Sequence, residues 1–354
     1  ISGSTGDLVS QGTIHANILD LSGKANVSIN VDMITDKSSN LSVFEMDEGD
    51  LIVLLATGET VIGEAKNLSL VNSEGVSITE PYAIDFKNAS DITNATGIFD
   101  FDLAGNQQDG LYVNYGLTEL NLSGEDENAF ELHLDGSVNN GTSKNDLSAQ
   151  ITGAGDLRIN AENGAIISLS NTSNSYSGST FVDQGTLSLA VDNALGNTDQ
   201  LALAKDTTVL MNDTQQVINT IDSASGSNIE FNEGQLTIKT GGTIAGNLTG
   251  QANLKGLDGL LAITSSNQSL SGIVEVGQAS GNSTVINANH NDSLGNALVV
   301  LNDSGTLNFD GATGNVSNAL SGSGQLQLTQ SNLVLTKDST NFKGNIAIDN
   351  ASQL

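Results

Sequence analysis

The side chains that could act as acids, bases or nucleophiles are few in type and widely spread along the chain. The sequence has three histidines, His15, His133 and His290, a single arginine, and no cysteine. A serine protease would need a Gly-Asp-Ser-Gly or G-x-S-x-G segment around its nucleophile, and neither occurs. Because apolar residues flank His133 on both sides, we interpret it as an outward residue of a strand rather than a catalytic base.

Carboxylates are the abundant reactive groups, with 41 acidic residues against 11 basic ones. Sugar-cleaving enzymes use pairs of carboxylates, so a polysaccharide-degrading enzyme stays open as an alternative. The absence of tryptophan counts against it, because many sugar-binding grooves stack the rings on aromatic side chains. The cluster Glu125, Asp126 and Glu127 has the oxygens that calcium prefers, but we interpret it as a solvated acidic turn. No catalytic, metal or cofactor site is predicted.

The formal net charge of −30 limits the partners. A surface of this sign repels nucleic acid and anionic membranes, so neither is expected to bind. No run of residues approaches the roughly 18 apolar residues of a membrane helix. The lack of cysteine excludes a disulfide scaffold and thiolate metal sites.

The elements that must position any functional side chain are short strands. Apolar residues alternate with polar ones, for example at Val27, Ile29 and Val31 and again at Leu187 and Leu189. Turn residues separate these segments, and helical periodicity is weak. Since aromatic residues make up only 4% of the chain, we expect an all-β protein with a narrow aliphatic core.

One seven-residue phrase occurs three times, as "ITGAGDL" at 151–157, "LTGQANL" at 248–254 and "LSGSGQL" at 320–326. The spacings are near multiples of about 24 residues, a period in the range of solenoid repeats. A turn of that length holds three short strands, each pairing with its equivalent in the next turn. The whole chain would then make about 14 or 15 turns.

Equivalent positions in the three phrases should stack on one side of such a rod, and these outward positions are the candidate ligand-binding residues. The alternation places Leu157 and Ile159 inward and their polar neighbours outward. The predicted site consists of one column, a second column beside it and one further basic residue: Arg158, Lys255 and Gln327; Asp156, Asn253 and Gln325; and Lys205.

Three short motifs follow one another along the chain: N-x-Y-x-G at 174–178, G-T-L-x-L at 185–189 and A-L-G at 194–196. Their order resembles the passenger-associated repeat of adhesive autotransporters. A weaker copy begins at Leu270, and a third begins at Asn341. The likeness covers residues 111–354 and is greatest to the UpaB type of adhesin.

The resemblance implies a right-handed parallel β-helix with protruding loops, exposed on the surface of a Gram-negative bacterium and held at the outer membrane by a C-terminal β-barrel that this sequence lacks. We therefore expect residues 1–354 to be a single passenger fragment. Within it, residues 1–110 are more acidic and are expected to carry more additions to the basic coil. The solenoid is expected to extend through residues 1–150, with a separate β domain there as the open alternative.

The function that the resemblance implies is non-enzymatic adhesion. The expected partner is a host matrix protein, such as a fibronectin-like one, or a glycan such as a glycosaminoglycan. Self-association into biofilm is the alternative.

Overall fold

The computed structural model describes residues 2–4, 13–31, 42–47, 51–78, 81–106, 110–138 and 145–354. Strands dominate, and two compact units are present. One unit comprises Ile1–Phe130 with Leu147–Thr152, and the other comprises Glu131–Asp146 with Gly153–Leu354. The organisation of 1–354 as a single passenger fragment stays a prediction.

The described residues of the first part of the chain form short and long strands, one short α-helix and short 3₁₀ segments. The strands are β1 (Ser2–Ser4), β2 (Ile14–Asp20), β3 (Ala25–Asn30), β4 (Leu51–Ile62), β5 (Leu68–Val71), β6 (Tyr82–Lys87), β7 (Thr93–Asn106) and β8 (Gly110–Leu122). The helices are α1 (Val43–Asp47) and the 3₁₀ segments Ala65–Asn67 and Asp126–Asn128.

The main sheet of the first unit is mixed. β2 and β4 are parallel, whereas β4, β8, β7 and β6 pair antiparallel in that order. Aromatic rings fill its interior: Phe101 stacks on Tyr115 with ring centroids 5.5 Å apart, and Phe86 meets Phe130 edge-on at the same distance. The expectation that residues 1–150 continue the aliphatic solenoid is wrong for this sheet, because adjacent antiparallel strands cannot form a parallel coil.

The remaining strands are short, and most follow one another at near-regular intervals. They are β9 (Phe130–Asp135), β10 (Asp146–Leu147), β11 (Gln150–Gly153), β12 (Leu157–Glu162), β13 (Ile166–Leu169), β14 (Thr180–Gln184), β15 (Thr186–Leu189), β16 (Gln200–Leu203), β17 (Thr208–Asn212), β18 (Gln215–Ser223), β19 (Asn228–Ile244), β20 (Asn247–Gly256), β21 (Gly259–Ile263), β22 (Leu270–Val276), β23 (Thr284–Ala288), β24 (Leu298–Leu301), β25 (Gly305–Asp310), β26 (Thr313–Val316), β27 (Leu320–Gly322), β28 (Gln325–Thr329), β29 (Asn332–Leu335) and β30 (Asn345–Ile348). A further 3₁₀ helix covers Gly136–Val138.

The second unit is a parallel β-solenoid of about ten turns, which confirms the predicted fold class. Its strands fall into three rows, which we call faces A, B and C. Face A contains β12, β14, β16, β21, β23, β25, β28 and β30 with segments 220–223 and 241–244; face B contains β13, β15 and β17 with 228–231 and 247–250; face C contains β24 and β27 with 215–218, 235–238, 253–256 and 273–276. The right-handed sense of the coil stays a prediction.

The register of face A sets the length of a turn. One column along this face contains Leu157, Thr180, Leu201, Ile221, Gly242, Leu261, Ile286, Leu307, Leu326 and Ile346. Nine steps lead from Leu157 to Ile346, so a turn averages roughly 21 residues, at the short end of the range for solenoid repeats. The predicted period of 24 was too long, because the phrases from which it was taken do not all lie on the same face. The predicted 14 or 15 turns were too many, because that number counted the whole chain as solenoid, whereas the main sheet of the first unit pairs antiparallel strands.

The motif residues that suggested the passenger resemblance build the interior. Tyr176, Leu195 and Leu270 are fully buried. Asn174 donates a hydrogen bond from Nδ2 to the Ala194 carbonyl at 2.8 Å. Asn267, which precedes Leu270, donates in the same way to the Ser293 carbonyl at 2.7 Å. These asparagines hold the loop that follows the next strands in place, so the repeat encodes stacking rather than a ligand contact.

The repeated phrase encodes a local backbone turn. Its third residue, Gly153, Gly250 or Gly322, has φ of 92°, 85° or 94°. A Cβ on Gly250 would meet the Phe231 carbonyl oxygen in the turn below, so only glycine fits there. The phrase recurs because this turn recurs, and it does so at different points around the coil.

Candidate functional site

Arg158 lies on the outward side of face A, at the second position of β12. Its guanidinium Nη1 is 2.6 Å from Asp183 Oδ2, and its Cζ lies 4.6 Å from the centroid of the Phe181 ring. The Arg158 side chain is 29% exposed. Because both the charge and the flat face of the guanidinium already have partners, an anionic ligand would have to compete with Asp183.

Gln327 shares the outward column of Arg158, as the sequence predicted. The column contains Arg158, Phe181, Ala202, Asp222, Thr243, Ala262, Asn287, Asn308, Gln327 and Ala347. Eight strand steps separate the two residues, which at about 4.8 Å per step is roughly 38 Å. One compact ligand cannot touch both, whereas an extended polymer lying along face A could.

Lys255 does not belong to that column, and this prediction was wrong. It lies on face C, in register with Thr237 and Glu275, and its Nζ is 3.2 Å from Glu275 Oε2. The physical reason is that "LTGQANL" runs from face B into face C, whereas the other two phrases end on face A. The residue that follows the phrase therefore points toward a different side of the coil.

The second predicted column is divided in the same way. Gln325 is on face A, whereas Asn253 is on face C, where its Nδ2 donates to Gln235 Oε1 at 3.1 Å. Asp156 was expected to point outward but is only 8% exposed. Its Oδ1 accepts a hydrogen bond from the Ser179 backbone N–H at 2.7 Å, so this carboxylate caps the start of the neighbouring strand β14.

Lys205 is exposed at the corner between faces A and B. Its Nζ lies 3.6 Å from the carboxylate of Asp206, the next residue, and its side chain is 73% exposed. The seven predicted residues are therefore distributed over face A, face C and one corner rather than assembled into one strip. Each cation among them has a carboxylate beside it.

His15, His133 and Asp292 each interact with neighbouring side chains. His15 Nδ1 is 2.6 Å from Thr57 Oγ1, and His133 Nδ1 is 3.6 Å from Glu131 Oε1. Burial works to raise the pKa of Asp292, but hydrogen bonds from Ser266 at 2.7 Å and Gln268 at 2.9 Å stabilise the carboxylate and hold its pKa below the ordinary value. Asp292 is therefore a charged, structurally engaged group at neutral pH.

The residues that the structure describes contain no group of three or more His, Cys, Asp or Glu placed to hold a metal ion. Within the same residues, no helix has both the length and the apolar character needed to cross a membrane.

Face C carries a feature that the sequence interpretation missed. Ile273 and Leu298 are adjacent in register and point outward, each 38% exposed. Val300, two residues further on, is half-buried on the same face. The signal was present in the sequence, because "ALVVL" at 297–301 is apolar without alternation and so places aliphatic groups on both sides of one strand.

Two proteins of Escherichia coli strain K12 are similar to this chain. The uncharacterized lipoprotein YdeK is 33% identical over 323 residues, which are 91% of this chain and 23% of that protein. The uncharacterized protein YuaQ is 35% identical over 216 residues, 60% of this chain and 16% of that protein. The chain thus spans less than a quarter of either relative. No family model and no solved structure matches it.

Proposed function

We propose that this chain belongs to a bacterial surface adhesin of the passenger type, most like the UpaB adhesins, which binds a host matrix protein or glycan without enzymatic activity, and that its second unit is part of the adhesin's solenoid. The observation that carries the proposal is the parallel β-solenoid of about ten turns, whose outward columns present half-exposed side chains at a regular strand spacing. A long regular surface of this kind suits an extended partner better than a small molecule.

A location at the cell envelope is part of the proposal. The relative YdeK is named a lipoprotein, and a lipid anchor would hold it at a membrane. We propose that the present chain is likewise held at the cell envelope, that it is exposed at the cell surface, and that other parts of the protein anchor it at the outer membrane.

The charge distribution favours protein partners over sulfated glycans. Residues 151–354 contain 17 acidic and six basic residues. The cations at Arg158, Lys205 and Lys255 each lie within 3.6 Å of a carboxylate. A polyanion approaching these cations would meet local competition and a repulsive overall field.

Surface plasmon resonance on the immobilised chain tests the proposal, with a panel of matrix proteins and glycosaminoglycans at low and physiological salt. The chain length of each glycan is followed in parallel. Saturable binding without shortening of the glycan is the expected result. Shortening would establish a polysaccharide-degrading enzyme instead, and absence of binding with concentration-dependent association of the chain would favour a self-associating rod.

Variants separate specific contacts from the general charge. Arg158→Ala is expected to weaken glycan binding if face A is the contact surface. Lys66→Ala is the matched control, because Lys66 is also a surface cation beside a carboxylate, Glu64, at 3.0 Å, but lies in the other compact unit. Equal effects of both variants would show that only overall charge is being measured.

A further inference from the structure

Face C has an outward apolar strip that ordinary solenoid stacking does not require. Its core is the pair Ile273 and Leu298, which are neighbours in adjacent turns and 38% exposed. Val300 extends the strip toward the corner between faces C and A. The outward side chains of the preceding turns in the same column are Gln215, Gln235 and Asn253. In the following turn the residue in register with Val300 is Ser321, so the continuous strip is confined to the turns that contain β22 and β24.

Acidic groups border this strip. Glu275 is in register with Val300 and lies two residues after Ile273, and its side chain is 29% exposed. Asp303 is exposed at the corner that follows β24. The nearby cation Lys255 lies 3.2 Å from Glu275 and balances its charge, so the negative charge that remains beside the strip is that of Asp303. Aliphatic side chains with a carboxylate border complement a partner that is apolar in its centre and basic at its edges.

We propose that the Ile273, Leu298 and Val300 strip on face C docks a basic, amphipathic segment of a protein partner. The partner's aliphatic side chains would cover the strip, and its lysine or arginine side chains would reach Asp303 and compete with Lys255 for Glu275. The inference rests on the proposed adhesive function and names the chemical class of its partner. A second copy of this chain is disfavoured as the occupant because both copies carry the same strong negative charge.

A defined peptide tests the proposal directly. The probe is a helical peptide with leucines at three- and four-residue spacing along one face, flanked by lysines. Its matched control has glutamate in place of every lysine. Fluorescence anisotropy against the full chain measures both affinities at low and physiological salt. The lysine peptide is expected to bind saturably, with weaker binding as salt rises, and the glutamate peptide is not expected to bind.

Surface variants locate the binding. The double variant Ile273→Asn with Leu298→Asn is expected to lower the affinity for the lysine peptide about tenfold, because it removes the apolar contact. Leu260→Asn is the control, since Leu260 is a 54% exposed aliphatic residue on face A, and it should change the affinity less than about twofold. Unchanged far-UV circular dichroism and urea midpoints establish that each variant is folded.

The possible results distinguish docking at this strip from non-specific binding. Equal binding of the two peptides, an unaffected double variant, or an equal loss with Leu260→Asn would each overturn the proposal. A further single variant, Glu275→Gln, should weaken binding and reduce its salt dependence without removing any apolar contact. Binding of a matrix protein that ignores the double variant would refute this inference and leave the adhesive function intact. Specific peptide binding at face C without any matrix-protein binding would support the docking strip and count against the adhesive function.

Discussion

The buried Asn267 side chain should be worth several kilocalories per mole to the solenoid, and Asn267→Ala measures it. The residue is 2% exposed. Its Oδ1 accepts a hydrogen bond from the Leu248 backbone N–H at 2.8 Å, and its Nδ2 donates to the Ser293 carbonyl at 2.7 Å. Alanine would leave one buried donor and one buried acceptor without these partners. At about 1–3 kcal/mol for each of the two unsatisfied groups, the expected loss is roughly 2–6 kcal/mol.

The effect should be local, because each turn of a solenoid contacts only its neighbours. We therefore expect the amide proton of Leu248 to exchange faster by roughly a hundredfold, corresponding to about 3 kcal/mol. Amides in the first turns, such as that of Leu187, should change far less. Native-state hydrogen exchange followed by mass spectrometry resolves the two regions, and urea denaturation gives the overall change.

Gln268→Ala is the matched control for this measurement. Gln268 is the next residue, is exposed, and donates from Nε2 to Asp292 at 2.9 Å. Its removal exposes the carboxylate to water and should cost less than about 0.5 kcal/mol. A loss for Asn267→Ala no larger than that for Gln268→Ala would refute the argument that these asparagines hold the solenoid loops in place.

Three further outcomes follow from the structure. Gly250→Ala should destabilise the solenoid by roughly 2–4 kcal/mol in urea denaturation, since φ is 85° and the new Cβ meets a carbonyl, whereas Gly281→Ala in an exposed loop should have little effect. Burial raises the pKa of the Tyr176 hydroxyl, so the folded protein keeps its stability below about pH 10 and loses it above that pH, where Tyr176 ionises in the unfolded chain. Tyr176→Phe should lessen this loss, which urea midpoints taken from about pH 8 to 11 would measure. Asp183→Asn should lower the stability by at most about 1 kcal/mol, because the ion pair with Arg158 is partly exposed. The same variant should strengthen heparin binding in a salt-dependent way. Unchanged heparin binding would show that Arg158 does not contact the glycan.

The alternation of side chains allowed the all-β class and the buried residues of single strands to be predicted. Leu157, Ile159, Leu326 and Leu328 are all buried, as expected. These predictions succeed because the side-chain direction in a strand has a period of two whatever the strand pairs with. The same reasoning failed at Asp156, where a backbone N–H from the neighbouring strand needed a cap and drew the carboxylate out of solvent.

The candidate site could be predicted only in part. Arg158 and Gln327 share a column because both lie one residue after inward leucines of face A. Lys255 occupies the same place in its phrase but lies on face C. The local sequence specifies the backbone turn at Gly250, but it does not specify the face on which that turn lies. The face depends on how many residues lie between successive corners of the coil. This spacing varies along the chain, so a seven-residue phrase does not reveal it.

The sequence by itself determined that the chain is strand-rich and highly acidic and that its second part repeats, because alternation, charge and glycine-containing turns are local properties. Only the tertiary structure decided that the first unit pairs antiparallel strands around aromatic rings, that a turn is shorter than the spacing of the phrases suggested, and that Ile273 and Leu298 meet on face C. These features depend on which strand lies beside which. Pairing between distant segments is set by the packing of the whole core, and register then assigns each outward side chain its neighbours.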